Sequence, residues 1–203
     1  MWNNWKQNFS KKEVGRSFYD PIWHMDTSKS NNYQEMMRRF KFRPAKNNES
    51  DYEIYYRIKS DQEAINFSGF KTAPDREKFH NVFCRIFEEE NTFLYYLCDT
   101  ENDNTVCATF HFKKVDPTTA EGLGYNVFPA YRGLGLGRIM MDKVNSICRE
   151  MGCTRRLSLV SENNIPSIKN LEKSGAYPTG EYEMRELPAF GRKDKYLYYV
   201  TEL

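Results

Sequence analysis

Three glycines within five positions form the segment of this sequence best suited to chemistry. The run Arg132-Gly133-Leu134-Gly135-Leu136-Gly137-Arg138 follows a β-rich stretch and precedes an amphipathic one. Glycine lets the backbone take positive φ and approach an oxyanion closely, and the first N–H groups of a helix lack internal partners. The helix dipole favours negative charge there, and flanking arginines can add charge-assisted hydrogen bonds. The pattern therefore predicts a phosphate-binding loop.

The spacing of these glycines excludes two common phosphate-binding motifs. A dinucleotide fingerprint that begins at Gly133 needs glycine where Arg138 stands, and one that begins at Gly135 needs glycine at Met140. No Lys-Ser or Lys-Thr pair follows, so a P-loop is excluded as well. The pattern that remains is Arg-x-x-Gly-x-Gly, carried by Arg132, Gly135 and Gly137. A glycine turn without a ligand is the alternative.

Two longer segments extend this pattern. Residues 124–137 read Gly-Tyr-Asn-Val-Phe-Pro-Ala-Tyr-Arg-Gly-Leu-Gly-Leu-Gly, and residues 164–175 read Asn-Ile-Pro-Ser-Ile-Lys-Asn-Leu-Glu-Lys-Ser-Gly. The first resembles the cofactor-binding motif of the GNAT superfamily of N-acetyltransferases, and the second resembles the family segment on the other side of the cofactor. The resemblance spans residues 39–203. In motif style, the second segment is similar to the branch that acetylates ribosomal-protein N-termini.

The resemblance implies acetyl-CoA as the cosubstrate and no metal ion. In this family the fourth and fifth strands splay apart, and the pantetheine arm lies between them. By resemblance, Val127 and Phe128 offer backbone hydrogen bonds to the pantetheine, and Asn164 and Ser167 lie in the segment across from it. Asn164 equally fits a plain helix N-cap. The residues implied to hold the pyrophosphate are Arg132, Gly133, Leu134, Gly135, Leu136, Gly137 and Arg138.

The implied reaction is attack of an uncharged primary amine on a thioester carbonyl. An alkyl ammonium with a pKa near ~10.4 is about 3 units too protonated at neutral pH, so a general base or a water chain is expected. Glu121 precedes Arg132 by the separation at which histone-type relatives carry their catalytic glutamate. A solvated strand-edge carboxylate is the alternative interpretation of Glu121.

The general acid is harder to assign from the sequence. Many relatives have a tyrosine seven residues after the motif asparagine, where this chain has Leu171. Tyr125 and Tyr177 are the nearby substitutes, and each also fits a packing role. The oxyanion needs a donor, most simply a backbone N–H near Val127.

The remaining elements predict one α/β domain. Together with the resemblance, their order predicts a single mixed, mostly antiparallel central sheet, splayed at the cofactor site and flanked by helices. Strands are predicted over 40–45, 92–98, 106–113, 122–128, 156–160, 182–186 and 195–202, and helices over 49–60, 75–90, 139–151 and 164–174.

The first 38 residues differ from the rest of the chain. Trp2, Trp5 and Phe9 have helical spacing, and the Ser/Asn-rich residues 27–32 predict a loop. We interpret residues 1–38 as an aromatic and basic arm that docks on the domain of residues 39–203 or on a second subunit, as in a homodimer. A membrane-surface helix at its start is the alternative.

Composition limits the partners and the location. The 203 residues carry a net charge of +2, which argues against a general nucleic-acid binder. The sequence has neither an apolar run of bilayer length nor a secretory signal, so we expect a cytoplasmic protein without a membrane partner. Five cysteines without a Cys-x-x-Cys pair predict reduced thiols and no zinc site.

The acceptor stays open. It is a small molecule, an amino sugar or a protein N-terminus, bordered by family analogy by residues 57–71 and the loop 187–195. Asp61, Glu63 and Glu186 are candidate carboxylates for a cationic acceptor. A CoA-binding module without turnover, suggested by Leu171, and an interaction protein acting through the arm are the alternatives.

Overall fold

A seven-stranded sheet forms the centre of the molecule. A computed structural model of the chain describes residues 27–68, 71–187 and 190–203. Every neighbouring pair of strands is antiparallel except β4 and β5, so the predicted mixed, mostly antiparallel sheet is confirmed. In the spatial order β1-β2-β3-β4-β5-β7-β6, the strands are β1 (Phe40–Pro44), β2 (Thr92–Asp99), β3 (Thr105–Asp116), β4 (Thr119–Val127), β5 (Arg155–Ser161), β6 (Tyr177–Leu187) and β7 (Arg192–Glu202).

Helices cover both faces of this sheet. The second, fourth, fifth and sixth were predicted from the sequence, the fourth and fifth from apolar periodicity, whereas the first and third were not. None of the helices in the described ranges is both long and apolar enough to cross a bilayer. They are α1 (Thr27–Arg39), α2 (Glu49–Lys59), α3 (Gln62–Ser68), α4 (Arg76–Glu88), α5 (Leu136–Glu150) and α6 (Ile165–Lys173), with a 3-10 turn at Pro129–Tyr131.

Each face has its own apolar core. Helices α5 and α6 pack on one face around Phe110, Phe112 and Met141, all fully buried. Helices α2 and α4 pack on the other face around Tyr52 and Phe83. Because side chains alternate along a strand, Phe93 and Tyr95 of β2 pack on the first core, and Leu94 and Tyr96 belong to the second.

Helix α1 corrects one prediction. Residues 27–32 were expected to form a loop, but the helix begins at Thr27. Tyr33, Met36 and Met37 lie at helical spacing and pack against the cluster at the start of α5. Burial of this face outweighs the weak helix propensity of the Ser/Asn-rich run. The predicted helical face at positions 2, 5 and 9 lies outside the described residues.

Strands β4 and β5 pair only briefly before they diverge. Thr119–Gly122 pairs with Arg155–Ser158, whereas β4 continues to Val127 and β5 to Ser161. A register shift in β4 opposite His111 marks a β-bulge, which bends the strand. The sheet is therefore splayed where the sequence analysis expected it.

Gly137 lets helices α5 and α6 approach closely. A Cβ at this position would lie 2.9–3.0 Å from the side-chain amide of Asn170, closer than van der Waals contact allows. The amide cannot turn away freely, because its Nδ2 donates a hydrogen bond to the Tyr125 hydroxyl at 3.3 Å. The third glycine of the motif therefore has a packing role between two helices.

We expect Gly137→Ala to lower the free energy of unfolding by about 1–2 kcal/mol, because overpacking outweighs the gain in helix propensity. Urea unfolding measures the change. The control is the same substitution in an Asn170→Ala background, where the clash is absent and alanine should be neutral or stabilising. Equal stability of Gly137→Ala and the parent would contradict the packing role.

Candidate active site

A cavity of about 410 Å³ lies in the opening between β4 and β5. From the side of α5 and α6 it is lined by Tyr125, Ser167 and Leu171. From the side of α2 and α3 it is lined by Lys59 and Ala64. The opening thus gives access to both faces of the sheet, so two molecules can meet inside it from opposite sides.

Unpaired backbone of β4 borders the opening. The N–H of Phe128 donates to the carbonyl of Cys107 at 2.9 Å, and its own carbonyl accepts from the N–H of Tyr131. Since hydrogen bonds alternate along an antiparallel pair, the backbone groups of Val127 are directed away from β3 and toward the opening. Its carbonyl accepts from Arg132 Nε at 3.1 Å. Two residues were expected to bind the pantetheine. The backbone N–H of Val127 is directed toward the opening and is available to a ligand, whereas both backbone groups of Phe128 already have partners.

The glycine loop leads directly into α5. Gly133 and Gly135 both have φ of +77°, a conformation that L side chains rarely adopt, and Gly135 is the N-cap of α5. The side chain of Leu136 is buried in the core, so only its backbone can face a ligand, while Leu134 is half-exposed. The loop has the geometry of an anion site at a helix start.

The two arginines of the loop have different surroundings. Arg132 forms ion pairs with Asp61 and with Glu63, the second at 2.8 Å. The carboxylates of Asp61 and Glu63, considered for a cationic acceptor, are therefore already paired within the chain. Arg138 stays more exposed, with Asp142 at 3.5 Å and the ring of Tyr33 under its guanidinium at 5.6 Å.

Tyr125 is brought to the cavity together with the second motif. Its ring stacks on Phe110 at 6.3 Å, and its hydroxyl lies 3.1 Å from Ser167 Oγ and accepts from Asn170. Asn164 caps α6 by accepting from the N–H of Ser167 at 3.2 Å, and it also lines the cavity. The N-cap interpretation of Asn164 is thus confirmed, and it is compatible with ligand contact.

Glu121 lies beside the cavity rather than in its lining. On β4 it is paired with Lys113 of β3 and Leu157 of β5. Burial raises the pKa of its carboxyl above the ordinary glutamate value, although the nearby Arg185 acts to lower it. Arg185 does line the cavity, so Glu121 is within electrostatic range of the site.

Tyr177 is not brought to this site. It lies at the start of β6, paired with Val200, and its hydroxyl donates to Glu202 at 2.9 Å. Glu202 is paired with Arg155 at the start of β5, whereas the opening lies beyond Ser158. The structure thus separates Tyr177 from Tyr125 and the motif residues.

Sequence reasoning missed several polar residues of the site. Lys59 lines the cavity, and burial lowers its pKa to about 8. His111 Nε2 and Asn126 Oδ1 are buried without a hydrogen-bond partner in the described residues, and burial together with Lys59 lowers the pKa of His111 to about 4. Arg156 lines the cavity at 1% exposure, but the sequence shows it only as the second of two arginines at the start of a strand, so its burial could not be read from the sequence.

The described residues contain no group of three or more His, Cys, Asp or Glu side chains arranged to hold a metal ion. All five cysteines are free thiols, and four of them are buried.

A model of the acetyltransferase (GNAT) family matches residues 33–176, well over half of the chain. The chain belongs to this family. The predicted superfamily and enzyme class are thereby confirmed at family level, and GNAT acetyltransferases use acetyl-CoA. The opening, the free N–H of Val127 and the anion-binding geometry of the loop fit this cosubstrate.

Individual relatives agree with this assignment. The chain is 27% identical over 128 residues to a mycothiol acetyltransferase from Beutenbergia cavernae, covering 62% of this chain and 43% of that protein. The chain thus spans less than half the length of this curated relative. Two solved structures share the fold over 81% of the chain. They are a spermidine N-acetyltransferase from Vibrio cholerae in complex with CoA and spermine (10% identity, 96% of that chain, TM-score 0.70) and a GNAT-family acetyltransferase from Bacillus anthracis (19% identity, 95% of that chain, TM-score 0.65).

The two loop arginines predict different mutational effects. We expect Arg138→Gln to weaken CoA binding about tenfold, as loss of a charge-assisted contact with the pyrophosphate would do. Arg132→Gln, the matched control, should weaken CoA binding less and lower the melting temperature more, because that guanidinium holds Asp61 and Glu63. Calorimetric titration with CoA and thermal unfolding make the comparison. The reverse ranking would contradict these assignments.

Proposed function

We propose that the protein transfers an acetyl group from acetyl-CoA to a primary amine within a ternary complex. The observation that carries this is the passage between β4 and β5, which gives access to both faces of the sheet. The donor lies on the side of α5 and α6, and the acceptor reaches it from the side of α2 and α3. Acetyl-CoA, when bound, supplies an acetyl group activated as a thioester.

The donor side is assigned to the two motifs. The N–H of Val127, which is directed toward the opening, binds the pantetheine arm. The backbone of Gly133 to Gly137 and the side chain of Arg138 bind the pyrophosphate. Asn164 and Ser167 border the pantetheine from α6.

Glu121 is the proposed general base. A carboxyl whose pKa is raised by burial accepts a proton from the ammonium form of the acceptor more readily than an ordinary glutamate does. Because it lies beside the cavity, a water molecule between Glu121 and the amine completes the path.

Tyr125 is the proposed general acid. Among the described residues that line the cavity on the side of α5 and α6, it offers a phenolic hydroxyl, whereas Leu171 occupies the position where relatives carry tyrosine. The amide of Asn170 and the hydroxyl of Ser167 orient the Tyr125 hydroxyl.

The charges on the acceptor side favour some amines over others. Lys59 and Arg185 line that side, Asp61 and Glu63 are paired with Arg132, and Glu186, which also lines the cavity, is paired with Lys193 at 3.0 Å. A polycation is therefore disfavoured relative to an amine that also carries an anionic or neutral polar group. An amino acid, an amino sugar and a protein N-terminus, the acceptor of the ribosomal-protein branch, all remain within the proposal.

Residues 1–38 are proposed to dock on the domain or on a second copy. Residues 27–38 form most of α1, and the packing of Tyr33, Met36 and Met37 on the start of α5 supports docking on the domain.

An amine panel tests the function. We expect amine-dependent release of the CoA thiol from acetyl-CoA, with amino acids, amino sugars and N-terminal peptides ahead of polyamines. CoA binding without release for any amine would favour the alternative, a CoA-binding module, which the buried Leu171 suggests.

Glu121→Gln should lower kcat/KM for the best amine by about 10²-fold or more. In the parent the rate should rise with pH as Glu121 loses its proton, at a higher pH than an ordinary glutamate because its pKa is raised. The variant should lack this rise. Glu77→Gln on the exposed side of α4 is the matched control, and an unchanged rate in Glu121→Gln would remove the base assignment.

Tyr125→Phe should lower kcat by about 10²-fold with little change in KM for acetyl-CoA, since only the proton donor is lost. Tyr177→Phe is the matched control and should keep the parental rate, because its hydroxyl bonds to Glu202 away from the cavity. Steady-state kinetics of both variants decide between them, and an inactive Tyr177→Phe with an active Tyr125→Phe would reverse the assignment.

A further inference from the structure

Arg156 is a buried cation without a carboxylate partner. The residue is 1% exposed, and within the described part of the chain its guanidinium donates hydrogen bonds only to neutral groups. Nε donates to Asn145 Oδ1 at 2.9 Å, Nη1 to Ser158 Oγ at 2.8 Å, and Nη2 to Thr201 Oγ1 at 3.4 Å and Met141 Sδ at 3.5 Å. No described Asp or Glu forms an ion pair with it.

Burial of such a charge lowers the stability of the fold. Burying an ion without a counter-ion costs several kcal/mol, and an apolar side chain of similar volume is often neutral or stabilising in its place. Burial lowers the pKa of Arg156 to about 10, so it still carries its charge at neutral pH. The site is therefore prepared for a negative charge that none of the described residues provides.

The guanidinium lies where β4 and β5 part. Nη1 is 3.6 Å from the position that a Cβ on Gly122 would take, and Gly122 and Ser158 form the last pair between the two strands. Arg156 lines the cavity together with Tyr125 and Leu171 and interacts electrostatically with Tyr125. The charge thus sits at the inner end of the passage, on the donor side.

We propose that Arg156 stabilises the negative charge that develops on the sulfur of coenzyme A as the acetyl group leaves. The proposal rests on the proposed function, because it takes the sulfur to the inner end of the passage. Many relatives have a tyrosine where this chain has Leu171, and under this proposal Arg156 takes over part of the role of that tyrosine.

The C–N bond forms from the amine lone pair, and the C–S bond breaks with its electron pair on sulfur. Glu121 accepts the proton that the attacking nitrogen loses and, like the earlier proton of the ammonium form, releases it to solvent, while Tyr125 supplies the proton of the thiol and regains one from solvent. Arg156 transfers no proton, and its charge lowers the free energy of the thiolate before that proton arrives.

The pKa of the bound CoA thiol tests this independently of turnover. Ultraviolet absorbance of the thiolate should show a pKa at least one unit below that of free CoA. A ligand whose pKa falls on binding binds more tightly as pH rises through the interval between the two values. The affinity for CoA should therefore rise about tenfold over that interval, whereas the affinity for desulfo-CoA should not.

Asn145→Asp is the sharpest variant, because it places a carboxylate beside Nε while keeping the guanidinium. The thiol pKa should return to the value of free CoA and kcat should fall about tenfold, although the melting temperature holds or rises. Arg156→Met should lose the thiol shift in the same way, and Arg156→Lys should retain part of it. Asn81→Asp, the same change on the exposed surface of α4, is the control and should keep the parental pKa.

The outcomes separate two failures. If the parent and Asn145→Asp bind CoA with the same thiol pKa, Arg156 has only a structural role and this inference is overturned, while the proposed function stands. If the parent does not bind CoA at all, the proposed function fails. Should Asn145→Asp not fold, Arg156→Met supplies the same comparison.

Discussion

The brief pairing of β4 with β5 is the constraint on which the rest of the site depends. The two strands share four residue pairs, whereas β4 shares eight with β3 and β5 shares seven with β7. Strand β4 is therefore held by β3 and strand β5 by β7. The edges of β4 and β5 that face each other are left with backbone groups that need hydrogen-bond partners. An extended ligand that lies along β4 can satisfy them, so the geometry of the sheet itself selects a pantetheine-like chain.

A second constraint couples the two sides of this opening. Arg132 follows β4, where its Nε holds the carbonyl of Val127, and its guanidinium pairs with Asp61 and Glu63 at the start of α3. One side chain thus fixes the strand that faces the donor and the segment that borders the acceptor. A movement of α3 would displace Arg132 and with it Val127, so under the proposed function the entry of the acceptor is coupled to the position of the donor.

The sequence was informative where local chemistry determines structure. Positive φ at Gly133 and Gly135 and the cap at Asn164 follow from residue type, so the loop and α6 were predictable. Helix α1 was missed because its stability comes from packing against α5, which no local pattern reveals. Tyr177 was grouped with Tyr125 because it is close in sequence to the second motif. The register of β6 against β7 instead places it on the edge strand, level with the part of β4 and β5 that is still paired.

Leu171 and Arg156 are best understood together. Leu171 is 4% exposed and lines the cavity, so it removes a hydroxyl and also keeps water from the inner end of the passage. A charge acts more strongly on a neighbouring charge when water is excluded, because little solvent is left to screen it. The apolar residue that deprives the site of its usual proton donor therefore strengthens the field of the arginine beside it. If Arg156 has the proposed role, leucine at position 171 shifts the task from proton transfer toward electrostatic stabilisation, and the absence of a tyrosine there is compatible with turnover.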